Sequence, residues 1–185
     1  MTTALADLAR SRSGFLELPG ELRLDRPDVG DGASLWRIAR DSEALDLNSP
    51  YSYLLWCRDF AATSAVARDT SGRPVGFVSG YRRPEAPGTL FIWQVAVDKA
   101  LRGQGVAAAL LDGLSAREAQ RRGNLRCLET TIEPGNTASE RLFTSYADRH
   151  GASLTREVLF EPGRFPESDA HAAEVLHRIT LPPGF

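Results

Sequence analysis

The sequence is poor in the residues that build metal and disulfide frameworks. Two cysteines, Cys57 and Cys127, and three histidines, His150, His171 and His177, are scattered over 185 residues. Neither set has zinc-ligand spacing, and the two thiols are too few and too distant to form a disulfide scaffold. No metal is therefore expected, and both cysteines read as buried, inert thiols. An excess of either charge is also missing. Lysine and arginine number 22 against 24 aspartates and glutamates, for a formal net charge of -2. That balance removes the positive field that nucleic acid or an anionic membrane would select, and no basic stripe is interleaved with aromatics. Long apolar runs are absent too: Val106 to Leu111 falls far short of the ~20 residues a membrane helix needs. Residues 1–20 lack an apolar signal-peptide core and carry Asp7, so a flexible N-terminal tail and a cytoplasmic location are expected.

What remains is ordinary globular material, 42% hydrophobic and 25% charged, in a length suited to one domain over 21–185. Glu21 to Leu24 alternates as a first strand should. Asp28 to Asp31 reads as the cap of a helix carrying Leu35, Trp36, Ile38 and Ala39. After the turn-like segment Asp46 to Tyr51, a short helix begins at Asn48 or Ser52. Thr63–Arg68 and Pro74–Tyr81 read as a hairpin, and Thr89–Val97, almost all apolar, as a central strand. A helix follows from Gly103, then a strand from Arg126, a helix from Asn136, and closing strands at Val158–Phe160 and Val175–Ile179. The order β-α-α-β-β-β-α-β-α-β-β predicts an α/β fold, a central mixed sheet flanked by helices.

The sharpest local signal is Arg102-Gly103-Gln104-Gly105-Val106-Ala107, between the central strand and a helix. Glycines let a ligand approach the backbone, the first turn of the helix offers unpaired N–H groups, and Arg102 adds charge. This is a phosphate or pyrophosphate site. It is neither a Walker loop nor a three-glycine dinucleotide fingerprint.

The turn resembles the Arg/Gln-x-x-Gly-x-Gly/Ala signature of the GNAT acetyltransferases, with Arg102, Gly105 and Ala107 at its defining positions. In that superfamily the strand before the turn splays from its neighbour, pairs with the pantetheine arm and donates an N–H to the thioester oxygen. The resemblance implies these roles for Val95 to Val97, pyrophosphate binding by Arg102 to Ala107, and a CoA contact at Asn136 with Ser139. Asp46 to Tyr53, Gly80 to Pro84, Phe91 to Val97, Glu129 to Ile132 and Asn136 to Ser139 are more closely similar to the L-2,4-diaminobutyrate acetyltransferase family of ectoine synthesis. That likeness implies acetyl-CoA as co-substrate, L-2,4-diaminobutyrate as acceptor, acetylation of the γ-nitrogen and a homodimer.

Acetyl transfer needs a neutral amine, although an alkylammonium titrates near ~10, and a preorganised donor for the oxyanion. Val95 is the candidate donor, and Asp46 and His171 the candidate anchor and proton handler. Tyr51, Trp93 and Glu174 complete the candidate acceptor site. Glu129 and Glu133 are alternative bases, Arg82 and Arg83 alternative carboxylate contacts, and Tyr146 the nearest tyrosine to the position where many relatives place a general acid. Two further readings stay open: an acetyltransferase for another small amine, and a non-catalytic acetyl-CoA sensor.

Overall fold

The computed structural model describes residues 18–43, 45–122, 125–166 and 171–185. Most of the expected tail lies outside the described residues. Eleven helices and strands follow the order predicted. They are β1 (Arg23–Asp25), α1 (Gly32–Arg40), α2 (Pro50–Asp59), β2 (Ala65–Arg68), β3 (Pro74–Arg83) and β4 (Ala86–Val97), then α3 (Val106–Arg122), β5 (Cys127–Ile132), α4 (Thr137–Arg149), β6 (Ser153–Phe160) and β7 (Glu174–Thr180). The seven strands form one sheet in the order β1-β2-β3-β4-β5-β7-β6. Only β4 and β5 run parallel; every other neighbouring pair is antiparallel.

Helices cover both faces, which is why β2 and β3 are apolar at successive positions rather than at alternate ones. On one face Leu110, Leu111 and Leu114 of α3 and Phe143 and Tyr146 of α4 pack against Val78, Leu90, Ile92 and Leu128. On the other, Leu35 and Ile38 of α1 and Tyr53 and Cys57 of α2 cover Val66, Phe77 and Ala96. Removing a fully buried leucine such as Leu114 from this core would cost about 2–5 kcal/mol.

Boundaries moved where local chemistry decided them. Asp28 does cap, but it caps a single 3₁₀ turn over Val29–Asp31 that leads into α1. The Asp28 side chain accepts from the Gly30 N–H at 2.7 Å, and the Asp31 side chain accepts from the Asp28 N–H at 2.8 Å. Arg68 then grips Asp31 through two bonds of 2.8 and 2.7 Å, tying this corner to β2. Pro50 supplies the first turn of α2, where a missing N–H costs nothing. α3 starts at Val106 rather than Gly103, because Gly103 and Gly105 take φ of 74° and 83°, outside any right-handed helix.

One irregularity shapes the site. The β3–β4 register runs Ser79↔Gln94 and then Gly80↔Ile92, so Trp93 is an extra residue, a β-bulge in the central strand. Gly80 lies opposite. A Cβ there would come within 2.5 Å of the Phe91 carbonyl oxygen, so only glycine lets the two strands close at this point.

Candidate active site

The ladder between β4 and β5 lasts only from Thr89↔Cys127 to Phe91↔Glu129. Beyond the bulge β4 continues beside β3 alone, and the opening between β4 and β5 holds two cavities. One, of about 350 Å³, is lined by Val95–Val97, Leu101–Gly103, Gly105–Ala108, Asn136, Ala138, Ser139 and Leu142 among others. The other, of about 540 Å³, is lined by Asp46, Trp93, Gln94, Val95, Thr130–Asn136 and Glu174 among others. Leu45, Val95, Asn136 and Ser139 line both. The two spaces therefore meet at Val95.

The smaller cavity is lined mostly by glycine, alanine and other apolar residues. The glycine turn and the first residues of α3 form its end, where the helix N-terminus favours an anion. Arg102 is exposed there. Its guanidinium donates to the carbonyls of Val97 (3.2 Å) and Asp41 (3.0 Å), which fixes the turn against the end of β4. Asn136 caps α4, its Oδ1 accepting from the Ser139 N–H at 3.1 Å. Of the turn residues singled out by sequence, Gln104 alone is not part of the lining. Its side chain turns back to donate to the Ala100 carbonyl at 3.0 Å.

The larger cavity carries the charge. Glu43, Asp46, Glu133 and Glu174 line it, and its lining contains no lysine or arginine among the described residues. Glu43 adopts φ 55°, a left-handed conformation costing a glutamate about 1–2 kcal/mol. His171 stands at the centre of the cluster: its Nε2 lies 3.2 Å from Asp46 Oδ2, 3.3 Å from Glu133 Oε1 and 3.9 Å from Glu174 Oε1. Its Nδ1 lies 2.8 Å from the Ala172 carbonyl, and Phe165 stacks on the ring at 3.9 Å. The Ala172 carbonyl can only accept, so Nδ1 donates to it, and with Nε2 facing the carboxylates this arrangement favours the imidazolium form of His171. The bond to Ala172 and the neighbouring Asp46 and Glu133 accordingly raise its pKa above the ordinary imidazole value, against a smaller opposing effect of desolvation. Trp93 lines this cavity and stacks on Trp56, with ring centres 4.5 Å apart and planes at 21°. It is thus not a core tryptophan.

Asp46, Trp93, Val95, His171 and Glu174 are brought together; Tyr51 is not. It is the second residue of α2, 66% exposed and outside both cavities, while Tyr53 takes the inward direction of that helix. Arg82 and Arg83 are also elsewhere: Arg82 pairs with Glu118 at 2.9 Å, and Arg83 with Glu129 at 3.0 Å. Arg178 holds Glu129 from the other side at 2.8 Å, so that carboxylate is a strut. Glu133, expected only as an alternative base, is a full member of the cluster. Tyr146 is wholly buried in the α3–α4 core, and burial pushes its phenol pKa up; Phe143 lines the larger cavity instead. Burial raises the thiols as well, Cys57 to about 12 and Cys127 to about 11. Among the described residues no helix is long and apolar enough to cross a membrane.

Comparison with known proteins bears on this geometry. Residues 33–147 match the model of the acetyltransferase (GNAT) family. An L-2,4-diaminobutyric acid acetyltransferase of Streptomyces avermitilis is 65% identical over 179 residues, covering 97% of this chain and 97% of that one. This chain belongs to the L-2,4-diaminobutyric acid acetyltransferases, within the GNAT family. A relative of the same description from Nocardia farcinica is 52% identical over 86% of this chain and 80% of its own. Among solved structures, the diaminobutyrate acetyltransferase of Paenibacillus lautus, in complex with L-2,4-diaminobutyric acid and coenzyme A, superposes with a TM-score of 0.81. It is 41% identical over 87% of this chain and 95% of that one. The fold is thus the GNAT fold, the chemistry acyl-CoA-dependent N-acetyl transfer, and acetyl-CoA the co-substrate.

Proposed function

We propose that this enzyme transfers acetyl from acetyl-CoA to the γ-nitrogen of L-2,4-diaminobutyrate, supplying the acetylated diamine for ectoine synthesis. One observation carries the reading: an acid-rich cavity whose lining holds no lysine or arginine among the described residues opens at Val95 onto a glycine- and alanine-rich, anion-favouring one. The first suits a small cationic amine, the second the pyrophosphate and pantetheine of a CoA thioester. The names of the relatives supply the particular amine.

In this reading Gly103 to Ala107 and Arg102 hold the pyrophosphate, and Val95 to Val97, with Asn136 and Ser139, flank the pantetheine arm. Asp46, Glu133 and Glu174 receive the ammonium, with Trp93 as a wall. That arriving cation competes with the His171 imidazolium for the same carboxylate oxygens and lowers its pKa. His171 then releases its proton to solvent and becomes the base that takes one from the ammonium. The neutral nitrogen attacks the thioester carbon, and the Val95 N–H steadies the oxyanion. The C–S bond breaks as the amide forms, the nitrogen loses its second proton to the carboxylate cluster, and the thiolate, of pKa about ~8.5, departs without an acid. Tyr146 has no part in this.

The reading extends to a cytoplasmic homodimer serving the response to osmotic stress. The exposed apolar residues Tyr51 and Leu54 on α2, with Phe60 just after it, support a second copy there. Initial rates with diaminobutyrate, ornithine, lysine and spermidine test the substrate, and NMR of the product tests the nitrogen. Preference for diaminobutyrate and γ-acetylation are expected; equal rates, or α-acetylation, would overturn the assignment.

A further inference from the structure

Asp46 has to be held accurately, yet its surroundings offer little regular backbone. Residues 45–49 form neither helix nor strand, and the Asp46 side chain is 75% exposed. Two side chains grip its carbonyl oxygen. Asn48 Nδ2 reaches it at 3.3 Å from within the exposed loop, and Gln94 Nε2 at 3.0 Å from the central strand. A carbonyl only accepts, so this contact also fixes which end of the Gln94 amide faces the loop.

Gln94 is a costly residue in that place. It is 5% exposed, directly after the bulge at Trp93, on the face covered by α2. Its Oε1 is buried and makes no hydrogen bond of good geometry. An apolar side chain of equal length would fill the same space without burying an unsatisfied oxygen. What the amide supplies, and an apolar side chain would not, is the bond to Asp46, together with a polar contact to the buried Tyr53 phenol of α2.

We propose that Gln94 is a positioning residue for acetyl transfer, tying the acceptor anchor Asp46 to the strand that presents Val95 to the thioester. The inference rests on the proposed role of Asp46. Gln94 adjoins Val95 in sequence, so a single side chain sets the spacing between the acceptor loop and the donor strand. Small misplacements of reacting groups are expensive: about 1 Å can cost 10²-fold in rate.

Gln94→Met keeps length and removes the donor. Expected is a fall of roughly tenfold in kcat/KM for diaminobutyrate, an acetyl-CoA KM within about twofold of the parent, and an undiminished melting temperature. Placed on Asp46→Ala, the same substitution should change kcat/KM by less than about twofold, since the group it positions is already gone. Independent, multiplying losses in the double variant would overturn the proposal, as would an unchanged acceptor kcat/KM or an acetyl-CoA KM rising in step. If Gln94→Met does not fold, Gln94→Glu is read in the same way, because its carboxylate keeps the shape but has no N–H to donate. Failure of the parent enzyme to acetylate diaminobutyrate would instead defeat the functional reading beneath the proposal.

Discussion

The two cavities that meet at Val95 recognise their ligands by opposite means. The cofactor side is built mainly from one stretch of chain, residues 95–108, with the start of α4, and it presents mostly glycine and apolar residues. The acceptor side gathers Asp46, Trp93, Glu133 and the pair His171 and Glu174 from four separate places and presents charge. Main-chain recognition tolerates most side-chain changes and fails when the backbone path changes. Side-chain recognition fails when a single charged group is lost. This contrast predicts which substitutions should affect which substrate.

The largest expected effect lies on the acceptor side. His171→Ala should lower kcat/KM for diaminobutyrate by about 10² or more, the usual worth of a proton-transfer group, while the acetyl-CoA KM stays within about twofold. Parallel changes in both constants would break the division of labour. The mirror experiment is Gly105→Val. A β-branched residue at φ 83° is strained by about 1–2 kcal/mol or more, so the acetyl-CoA KM should rise roughly tenfold in steady-state assays. The acceptor KM should hold.

Gly80→Ala addresses the bulge just before Val95, where the two cavities meet. A Cβ 2.5 Å from the Phe91 carbonyl forces the strands apart. The expected loss is about 1–3 kcal/mol of stability, read as a lower denaturant midpoint, with both KM values raised. The smallest effect is the titration of His171. Its folded pKa is raised, so the stability it contributes is fully present below the unfolded value of about 6.5 and is lost as pH rises through the folded one. NMR of the ring should place its ionisation above the ordinary value in the free enzyme and lower in Asp46→Asn. A ring titrating at or below about 6.5 would remove the resting imidazolium from the account.

The same contrast explains what was legible in the sequence. The element order and the Arg102 to Ala107 turn could be read directly, since hydrophobic period and glycine placement are local properties. Asp46, His171 and Glu174 were reachable only through likeness to a family, because nothing near them in sequence shows that a loop, a strand end and a distant histidine converge. Glu133 could not be told from Glu129 as an alternative base for the same reason. Gln94 sat unnoticed within an apolar strand, where the bulge at Trp93 turns it toward α2, and bulges leave no period to read. Tyr51 went the other way: α2 starts at Pro50, between the two starts expected at Asn48 and Ser52, and the helix then points Tyr51 outward and Tyr53 inward.

The most direct test is a crystal structure of this enzyme with CoA and diaminobutyrate bound together. The account predicts the pyrophosphate on the Gly103 to Ala107 main chain and the sulfur beside Val95. The γ-nitrogen should face that sulfur from among Asp46, Glu133, His171 and Glu174. A diamine bound outside this cluster, or a γ-nitrogen turned away from Val95, would contradict it.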